Sequence, residues 1–211
     1  MSKVILFDLD GTLTDSSEGI MKCCRYAMEN YNITLSDEQL RTFIGPPLRL
    51  VFAKNGVPES EVEAALSRYR ERYCTVGKYE NRPYDGIDKL LEQLVAAGHR
   101  LFVATSKPEA LSVDIVEHFG LGKYFIDVCG ATFDKSRDSK EKVIEYLLSK
   151  HNLSGEIIMV GDTVFDVEGA AKCGIPTVGV SWGFGEKKKL LEAGALTVVE
   201  TMDELFEALD E

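Results

Sequence analysis

The sequence predicts an α/β protein in which a Rossmann-like parallel-sheet core carries an inserted α-helical domain. From residue 84 onward, short apolar runs alternate with helical patterns, as in the βαβ units of a parallel sheet. Residues 15–83 show helical patterns throughout, and they hold ten acidic and ten basic residues. The rest of the chain therefore carries the whole net charge of −11, and this change of balance indicates two modules. We expect a core of residues 1–14 and 84–211 and an inserted domain of residues 15–83.

The chain opens with an apolar run that ends in two acidic residues. Residues 4–7 read Val-Ile-Leu-Phe, and Asp8, Asp10 and Gly11 follow. An apolar run bounded by a turn signal fits a strand that is buried on both faces. Its carboxylates would then emerge at the edge of the sheet where α/β proteins bind ligands. An ordinary Asp-Gly turn explains these residues equally well when the stretch is considered alone.

Four helices are predicted in the inserted segment. The first begins near Asp15, where serines and acidic residues supply an N-cap and a first turn, and it runs to about Tyr31. The other three are expected at about 36–43, 48–54 and 59–76.

The remaining chain alternates between the two kinds of element, and glycines at 98, 120 and 174 mark the ends of helices. Strands are predicted at 101–104, 126–130, 157–160, 177–180 and, as an edge strand, 197–199. Helices are predicted at about 86–97, 109–119, 140–151, 164–173, 187–193 and 202–209.

Three of the predicted strands end in residues that can carry chemistry. Asp8 and Asp10 follow the first strand, Thr105 and Ser106 follow the second, and Asp162 follows a later one. Because the carboxyl ends of parallel strands meet at one edge, we expect these residues to converge, which a simple turn does not explain. Carboxylates supply the hard oxygens that suit Mg²⁺, whose remaining ligands are commonly water and substrate phosphate.

Binding of a phosphoryl group also requires hydroxyls, backbone N–H groups and a cation. Thr105 and Ser106 supply the first two, together with the N-terminus of the helix that follows. Either Lys107 or Lys140 supplies the cation, and their positions do not rank them. Asp166, one helical turn beyond the last strand end, is either an additional metal ligand or a supporting acid.

These segments resemble the four ordered motifs of the haloacid dehalogenase superfamily. The matching segments are residues 7–13, 105–107, 140 and 161–166. The inserted helices resemble the small α-helical cap of that family, and residues 43–48 resemble the cap loop of its phosphoglycolate-phosphatase-like branch. The resemblance implies a Mg²⁺-dependent phosphatase that hydrolyses a small phosphomonoester through an aspartyl-phosphate. Thr163 stands where the family commonly has serine, and it keeps the hydroxyl.

The same resemblance implies a role for each matched residue. Asp8 would be the nucleophile, and Asp10 would protonate the leaving oxygen and then activate water. The metal would be held by Asp8, the backbone carbonyl of Asp10, Asp162 and Asp166. The phosphate would be bound by Gly11, Thr105, Ser106, Lys107 and Lys140, of which Lys140 also steadies Asp8. Substrate selection by the cap would fall to Gly45, Pro46 and Arg49.

The composition of the chain limits the classes of binding partner and the cellular location that we expect. A net charge of −11 argues against a nucleic-acid polymer or an anionic membrane. No segment has the apolar length of a membrane span and the start shows no signal-peptide pattern, so a cytoplasmic protein is expected. The five cysteines include no C-x-x-C pair and suggest neither a zinc site nor a disulfide framework. We expect a monomer or homodimer that acts on a small phosphorylated metabolite.

Several alternatives share these residues. A sugar phosphomutase of the same fold uses the same core residues, whereas dehalogenases of the family lack an acidic residue at the position of Asp10. A phosphonate hydrolase would need an imine-forming cap lysine, for which Lys22 and Lys54 are candidates. A regulatory module that only binds phosphate has no need of paired carboxylates. The substrate stays open among phosphoglycolate, nucleoside monophosphates, sugar phosphates, pyrophosphate and aryl esters.

Overall fold

The computed structural model describes residues 2–46, 48–134 and 136–210, so Pro47 of the predicted cap loop lies outside the described residues. The chain divides into two compact units. The larger unit comprises Met1–Asp15 and Pro83–Glu211, and the smaller comprises Ser16–Arg82. These borders lie one residue from the expected ones, and the role of the smaller unit as a cap stays a prediction.

Within the described residues the chain forms eight strands. They are β1 (Val4–Phe7), β2 (Thr14–Asp15), β3 (Arg82–Pro83), β4 (Arg100–Pro108), β5 (Asp127–Ala131), β6 (Ile157–Gly161), β7 (Thr177–Val180) and β8 (Thr197–Val199). Six of them form one sheet in the order β5-β4-β1-β6-β7-β8, while β2 and β3 pair with each other. Neighbouring strands of the large sheet run parallel. This confirms the predicted α/β fold, and β8 lies at an edge as expected.

β1 lies between β4 and β6 because both of its faces are apolar. Successive side chains of a strand point to opposite faces of the sheet. Ile5 and Phe7 belong to one buried apolar cluster, whereas Val4 and Leu6 belong to another. The next residue, Asp8, therefore emerges where the ends of β4 and β6 also lie.

The smaller unit, taken by itself, is mainly helical. Its helices are α1 (Ser17–Glu29), α2 (Asp37–Arg41), α3 (Leu48–Lys54) and α4 (Val62–Tyr73). The expected single helix at 59–76 was wrong at both ends, because α4 spans only Val62–Tyr73, with 3₁₀ turns before it at Glu59–Glu61 and after it at Gly77–Tyr79. Such turns pair backbone groups that the end of an α-helix leaves without partners. The expectation of a wholly helical 15–83 was also wrong, since Asp15, Arg82 and Pro83 belong to β2 and β3.

Helices cover both faces of the large sheet. They are α5 (Ile87–Ala96), α6 (Glu109–His118), α7 (Lys140–His151), α8 (Val164–Lys172), α9 (Lys187–Glu192) and α10 (Met202–Asp210). Apolar residues of α5, α6 and α10 join the cluster that contains Phe7, and those of α7 and α8 join the cluster that contains Leu6. None of the helices in the described residues is both long and apolar enough to cross a bilayer.

β4 is longer than the sequence predicts. The prediction ended it at residue 104 because polar residues follow, whereas the strand runs to Pro108. Its pairing with β5 shifts between Thr105 and Pro108, which is a β-bulge. Gly130 of β5 leaves room for the bulge, since a Cβ there would lie 2.5 Å from the carbonyl oxygen of Lys107. The bulge allows the polar residues to remain part of the strand.

Candidate active site

Asp8 directly follows β1 and is held at the carboxyl edge of the sheet. Its backbone N–H donates to the carbonyl oxygen of Val160 in β6 at 2.9 Å. The residue is 8% exposed, and Oδ1 accepts a hydrogen bond from Lys140 Nζ at 2.7 Å. No hydrogen bond from the described residues reaches Oδ2. One oxygen of this carboxylate is therefore fixed and the other has lone pairs to offer.

Lys140 is the first residue of α7, and its ammonium group is enclosed by the protein. Nζ lies 2.7 Å from Asp8 Oδ1 and 2.8 Å from Asp166 Oδ1, and it donates to the carbonyl oxygen of Ala104 at 2.8 Å. Burial alone would lower the pKa of Lys140, but the carboxylates of Asp166 and Asp8 outweigh burial and raise it. Gly169 of α8 allows this approach, because a Cβ there would lie 2.6 Å from Lys140 Cβ. Lys140 therefore stays charged between two acids.

Asp162 follows β6 and is fully buried. Its Oδ1 accepts a hydrogen bond from Thr12 Oγ1 at 3.1 Å, and Oδ2 accepts one from the backbone N–H of Phe184 at 2.8 Å. Burial raises the pKa of Asp162 well above its usual range, and the charges of Asp166 and Asp8 raise it further. This carboxylate is oriented by two donors but is not neutralised by them.

Asp166 lies in the first turn of α8. Its Oδ2 accepts hydrogen bonds from Thr163, from the backbone N–H at 3.0 Å and from the hydroxyl at 2.8 Å. Burial raises the pKa of Asp166, although the Lys140 ammonium opposes that shift. The hydroxyl that Thr163 shares with the usual serine thus orients Asp166. Both oxygens of Asp166 are engaged by the protein.

The three buried acids form a group that could hold a metal ion. One carboxylate oxygen from each of Asp8, Asp162 and Asp166 lies within 4.8 Å of the others. These three carboxyl groups have one lysine beside them. A divalent cation would balance the remaining negative charge and so favour the ionised form of Asp162. Oxygen donors of this kind suit a hard ion. The expected contribution of the Asp10 backbone carbonyl stays a prediction.

Asp10 and Lys107 form a second pair beside this group. Lys107 Nζ donates to Asp10 Oδ2, and the lysine side chain is only 8% exposed. Asp10 Oδ1 is also enclosed, and within the described residues it has no hydrogen-bond partner. The two candidate lysines are thus distinguished, since Lys140 pairs with Asp8 and Asp166 whereas Lys107 pairs with Asp10.

Gly11 lets the chain turn sharply around Asp162. Its φ of +85° lies in the region that favours glycine. A Cβ at Gly11 would lie 2.2 Å from Asp162 Oδ2, and one at Gly183 would lie 2.4 Å from the same atom. Trp182 donates from Nε1 to the carbonyl oxygen of Thr12 at 3.1 Å. Two backbone segments therefore enclose one carboxylate.

Sequence reasoning missed four residues of this enclosure. They are Thr12, Trp182, Gly183 and Phe184. The last three follow β7, and a glycine-rich segment after a predicted strand was the available signal, because every parallel strand of this sheet ends at the same edge. The segment contains no acidic or basic residue, so its residue types alone do not mark it as part of a site.

The predicted phosphate-binding residues Thr105 and Ser106 lie at the end of β4. Thr105 is 2% exposed, and its hydroxyl oxygen accepts from the backbone N–H of Lys107 at 3.3 Å. Ser106 is exposed. Because α6 begins at Glu109, its N-terminus lies close along the chain and favours an anion. Phosphate binding by these residues stays a prediction.

The remaining candidates belong to the smaller unit. Gly45 and Pro46 are exposed, and Gly45 has a φ of +100°. Arg49 forms an ion pair with Glu63, so its charge is already matched. Hydrogen bonds from Lys22 to Glu18 and Glu80 raise the pKa of this lysine, which opposes imine formation by a neutral amine.

The chain is similar to known proteins along nearly its whole length. The family model described as haloacid dehalogenase-like hydrolase matches residues 5–180. A protein of Pseudomonas aeruginosa named 5′-nucleotidase is 43% identical and covers 88% of this chain and 86% of its own. A Mycobacterium tuberculosis protein named tyrosine-protein kinase PtkA is 42% identical and covers 98% of this chain and 72% of its own.

A more distant relative and a solved structure extend this likeness. A protein of Vibrio parahaemolyticus named phosphoglycolate phosphatase is 26% identical and covers 98% of this chain and 96% of its own. The crystal structure of a predicted phosphatase from Clostridium acetobutylicum has a TM-score of 0.92 and 40% sequence identity, with 99% of this chain and 98% of that chain covered. The family match includes all four motif segments.

Proposed function

The chain belongs to the haloacid dehalogenase-like hydrolases, and we propose that it hydrolyses phosphomonoesters by attack of Asp8 on phosphorus. The family resemblance drawn from the motifs is confirmed, and relatives named 5′-nucleotidase and phosphoglycolate phosphatase support a phosphatase. One observation carries the residue assignment. Lys140 contacts two carboxylates of the acidic group, and of these Asp8 keeps one oxygen without a donor among the described residues, whereas both oxygens of Asp166 are engaged.

In the first half-reaction, Asp8 Oδ2 attacks phosphorus while Lys140 holds Oδ1. The bond between phosphorus and the ester oxygen breaks, and Asp10 gives its proton to that oxygen. The products are an aspartyl-phosphate and an alcohol. Lys140 also places a positive charge beside Asp8, and an ionised carboxylate is the form that can attack.

In the second half-reaction, water attacks the phosphorus of the aspartyl-phosphate. Asp10 accepts the water proton, the bond from phosphorus to Asp8 breaks, and inorganic phosphate leaves. Both carboxyl groups then have their starting protonation. Thr105, Ser106 and Gly11 would bind the phosphoryl oxygens through hydroxyl and backbone N–H groups.

We propose Mg²⁺ as the metal of this site. Asp8, Asp162, Asp166 and the carbonyl of Asp10 would hold it. When bound, it would offset the repulsion between the attacking carboxylate and the phosphate. Asp162 fits this role because two donors fix its direction without neutralising its charge.

Nucleoside 5′-monophosphates are the first substrates to test, because the relative named 5′-nucleotidase is 43% identical whereas the phosphoglycolate phosphatase is 26% identical. Asp10 argues against a dehalogenase, since halide departure needs no proton. A sugar phosphomutase remains the alternative, and it would return phosphate to a second hydroxyl of the sugar. Because one relative is named tyrosine-protein kinase, the assay should also include a tyrosine hydroxyl as an acceptor of the phosphoryl group.

The first experiment measures release of inorganic phosphate from p-nitrophenyl phosphate and from a panel of phosphorylated metabolites. We expect Mg²⁺-dependent hydrolysis that EDTA and Asp8→Asn abolish. Asp203→Asn, which changes an exposed aspartate of α10, serves as the control. Acid-quenched enzyme should carry phosphate on Asp8. Undiminished turnover by Asp8→Asn would contradict the mechanism, and phosphate transfer without net release would favour the mutase.

A second experiment concerns substrate selection by the smaller unit. We propose that Gly45, Pro46 and Arg49 help to choose the leaving group. Arg49→Ala should change the ranking of substrates, whereas Arg25→Ala should not. The two arginines are matched, because each is similarly exposed and paired with a carboxylate of the same unit. Equal changes on all phosphomonoesters would argue against selection by these residues.

A further inference from the structure

We propose that Lys107 is a positioning residue that holds one carboxylate oxygen of Asp10, so that the other oxygen carries the transferred proton. This inference rests on the proposed function, since it concerns the proton transfers of that reaction. It gives Lys107 a different task from the phosphate binding that the sequence suggests.

The Lys107 side chain is enclosed and directed at Asp10. It is 8% exposed, although lysine side chains usually keep their charge in water. Nζ donates to Asp10 Oδ2 in a contact that is both a hydrogen bond and an ion pair. The Asp10 side chain is 21% exposed, so solvent screens the pair only in part. A charge-assisted contact of this kind fixes the orientation of the carboxylate.

The β-bulge in β4 brings Lys107 to this position. The shift in pairing leaves Ser106 and Lys107 outside the ladder between β4 and β5. Bulges redirect side chains and are common beside active sites. The hydroxyl of Thr105 accepts from the Lys107 N–H, and Gly130 leaves space for the Lys107 carbonyl. Several residues are thus arranged so that this lysine reaches Asp10.

The second oxygen of Asp10 has a different environment. Oδ1 is enclosed by protein, and no donor among the described residues reaches it. A buried acceptor without a donor is unfavourable, and a hydroxyl group of the substrate or the attacking water would remove that penalty. Because Oδ2 is engaged by Lys107, Oδ1 is the oxygen available to hold the proton.

Both proton transfers then use the same atom. The proton on Oδ1 first passes to the ester oxygen as its bond to phosphorus breaks, which yields the alcohol. A proton of the attacking water later passes to Oδ1 as the bond between phosphorus and Asp8 breaks. Holding Oδ2 prevents the carboxyl group from rotating between the two transfers, so neither transfer waits for reorientation.

The leaving group provides the test, because an alkoxide needs a proton to depart and p-nitrophenolate does not. Lys107→Met, Lys107→Gln and Lys107→Arg are compared with wild type on an alkyl phosphate and on p-nitrophenyl phosphate. The readout is kcat/KM, which covers the steps up to departure of the leaving group. Lys142→Met is the matched control, since Lys142 forms an exposed ion pair with Asp138. Thermal unfolding identifies the folded variants, and Lys107→Gln serves if Lys107→Met does not fold.

We expect the neutral variants to lose about 100-fold in kcat/KM on the alkyl phosphate, a usual size for general-acid catalysis, and far less on p-nitrophenyl phosphate. Lys107→Arg should recover most of the alkyl activity, because a guanidinium also pairs with a carboxylate. In an Asp10→Asn background, replacement of Lys107 should cause no further loss. The inhibition constant of inorganic phosphate should stay the same.

Equal losses on the two substrates, or weaker inhibition by inorganic phosphate, would overturn the proposal and indicate phosphate binding by Lys107. Full activity of folded Lys107→Gln on the alkyl phosphate would overturn it as well. Failure of the proposed function is a separate result, because it would appear as undiminished hydrolysis by Asp8→Asn whatever the Lys107 variants do.

Discussion

Replacement of Lys140 by methionine should destabilise the larger unit strongly. Methionine keeps most of the length of the side chain but removes a charge that lies 2.7 Å from Asp8 and 2.8 Å from Asp166. It also removes the donor to the carbonyl oxygen of Ala104. Two buried carboxylates would then lack their counter-charge.

The size of the effect follows from burial. Lys140 is 5% exposed, and removal of one partner from a buried ion pair typically lowers the free energy of unfolding by about 3–5 kcal/mol. For a chain of this length, that corresponds to a fall in Tm of about 6–20 °C. Neutralising the acids as well should restore stability, because a buried charge group replaced as a whole often costs little. Lys140→Met combined with Asp8→Asn and Asp166→Asn is therefore expected to recover most of the loss.

Urea unfolding in EDTA measures this prediction. Trp182 is the only tryptophan of the chain and lies in the larger unit, so its fluorescence reports on that unit. Lys142→Met on the same helix is the control, because Lys142 is half exposed and its ion pair with Asp138 contributes little. If Lys140→Met and Lys142→Met change the free energy of unfolding by the same small amount, the charge balance that we infer is wrong.

Three further predictions concern single contacts. Thr12→Val removes the hydroxyl donor of Asp162 and should weaken Mg²⁺ binding by about 10–100-fold, as measured by titration calorimetry. Gly11→Ala places a Cβ against the same carboxylate at a position with positive φ, so it should abolish phosphatase activity and lower Tm. Gly155→Ala is the control, because it strains the backbone at an exposed position of positive φ without touching the site. Asp127, at the start of β5, has a pKa lowered to about 2, because hydrogen bonds from Lys150 and His151 outweigh burial. The contribution of this carboxylate to the free energy of unfolding is complete above the unfolded-state pKa of about 4 and is lost as pH falls toward 2. Urea unfolding should therefore show that Asp127→Asn lowers the free energy of unfolding by about 2 kcal/mol at pH 7 and by progressively less below pH 4.

The fold was predictable wherever one type of residue dominated a segment. Residues 4–7 are apolar without interruption, and such a run can only be buried on both faces, as β1 is. The convergence of Asp8 and Asp162 followed from the direction of parallel strands alone, and carboxylate oxygens of the two residues lie within 4.8 Å of each other. By contrast, the end of β4 was missed, because a bulge keeps Thr105 and its polar neighbours in a strand that their polarity argues against.

Some contacts of the site depend on the path of the backbone, which the types of the residues do not reveal. The backbone N–H of Phe184 orients Asp162, and a backbone donor leaves no trace in the identity of its residue. Lys107 and Lys140 each follow a plausible pattern, and only the path of the chain shows that they pair with different acids. The roles of Thr105 and Ser106 toward phosphate stay predictions for the same reason, since they depend on where a substrate lies.

The central place of β1 also bears on how the chain folds during synthesis. Its neighbours in the sheet come from residues 100–103 and 157–160, so β1 gains its second partner only after about 150 further residues have been synthesised. Until then one side of this apolar strand has no partner strand, which favours chaperone binding or association between nascent chains. The contiguous residues 16–82 have no such requirement. The smaller unit is therefore free to fold first, and Asp8, the proposed nucleophile, reaches its final position only after β6 has joined the sheet.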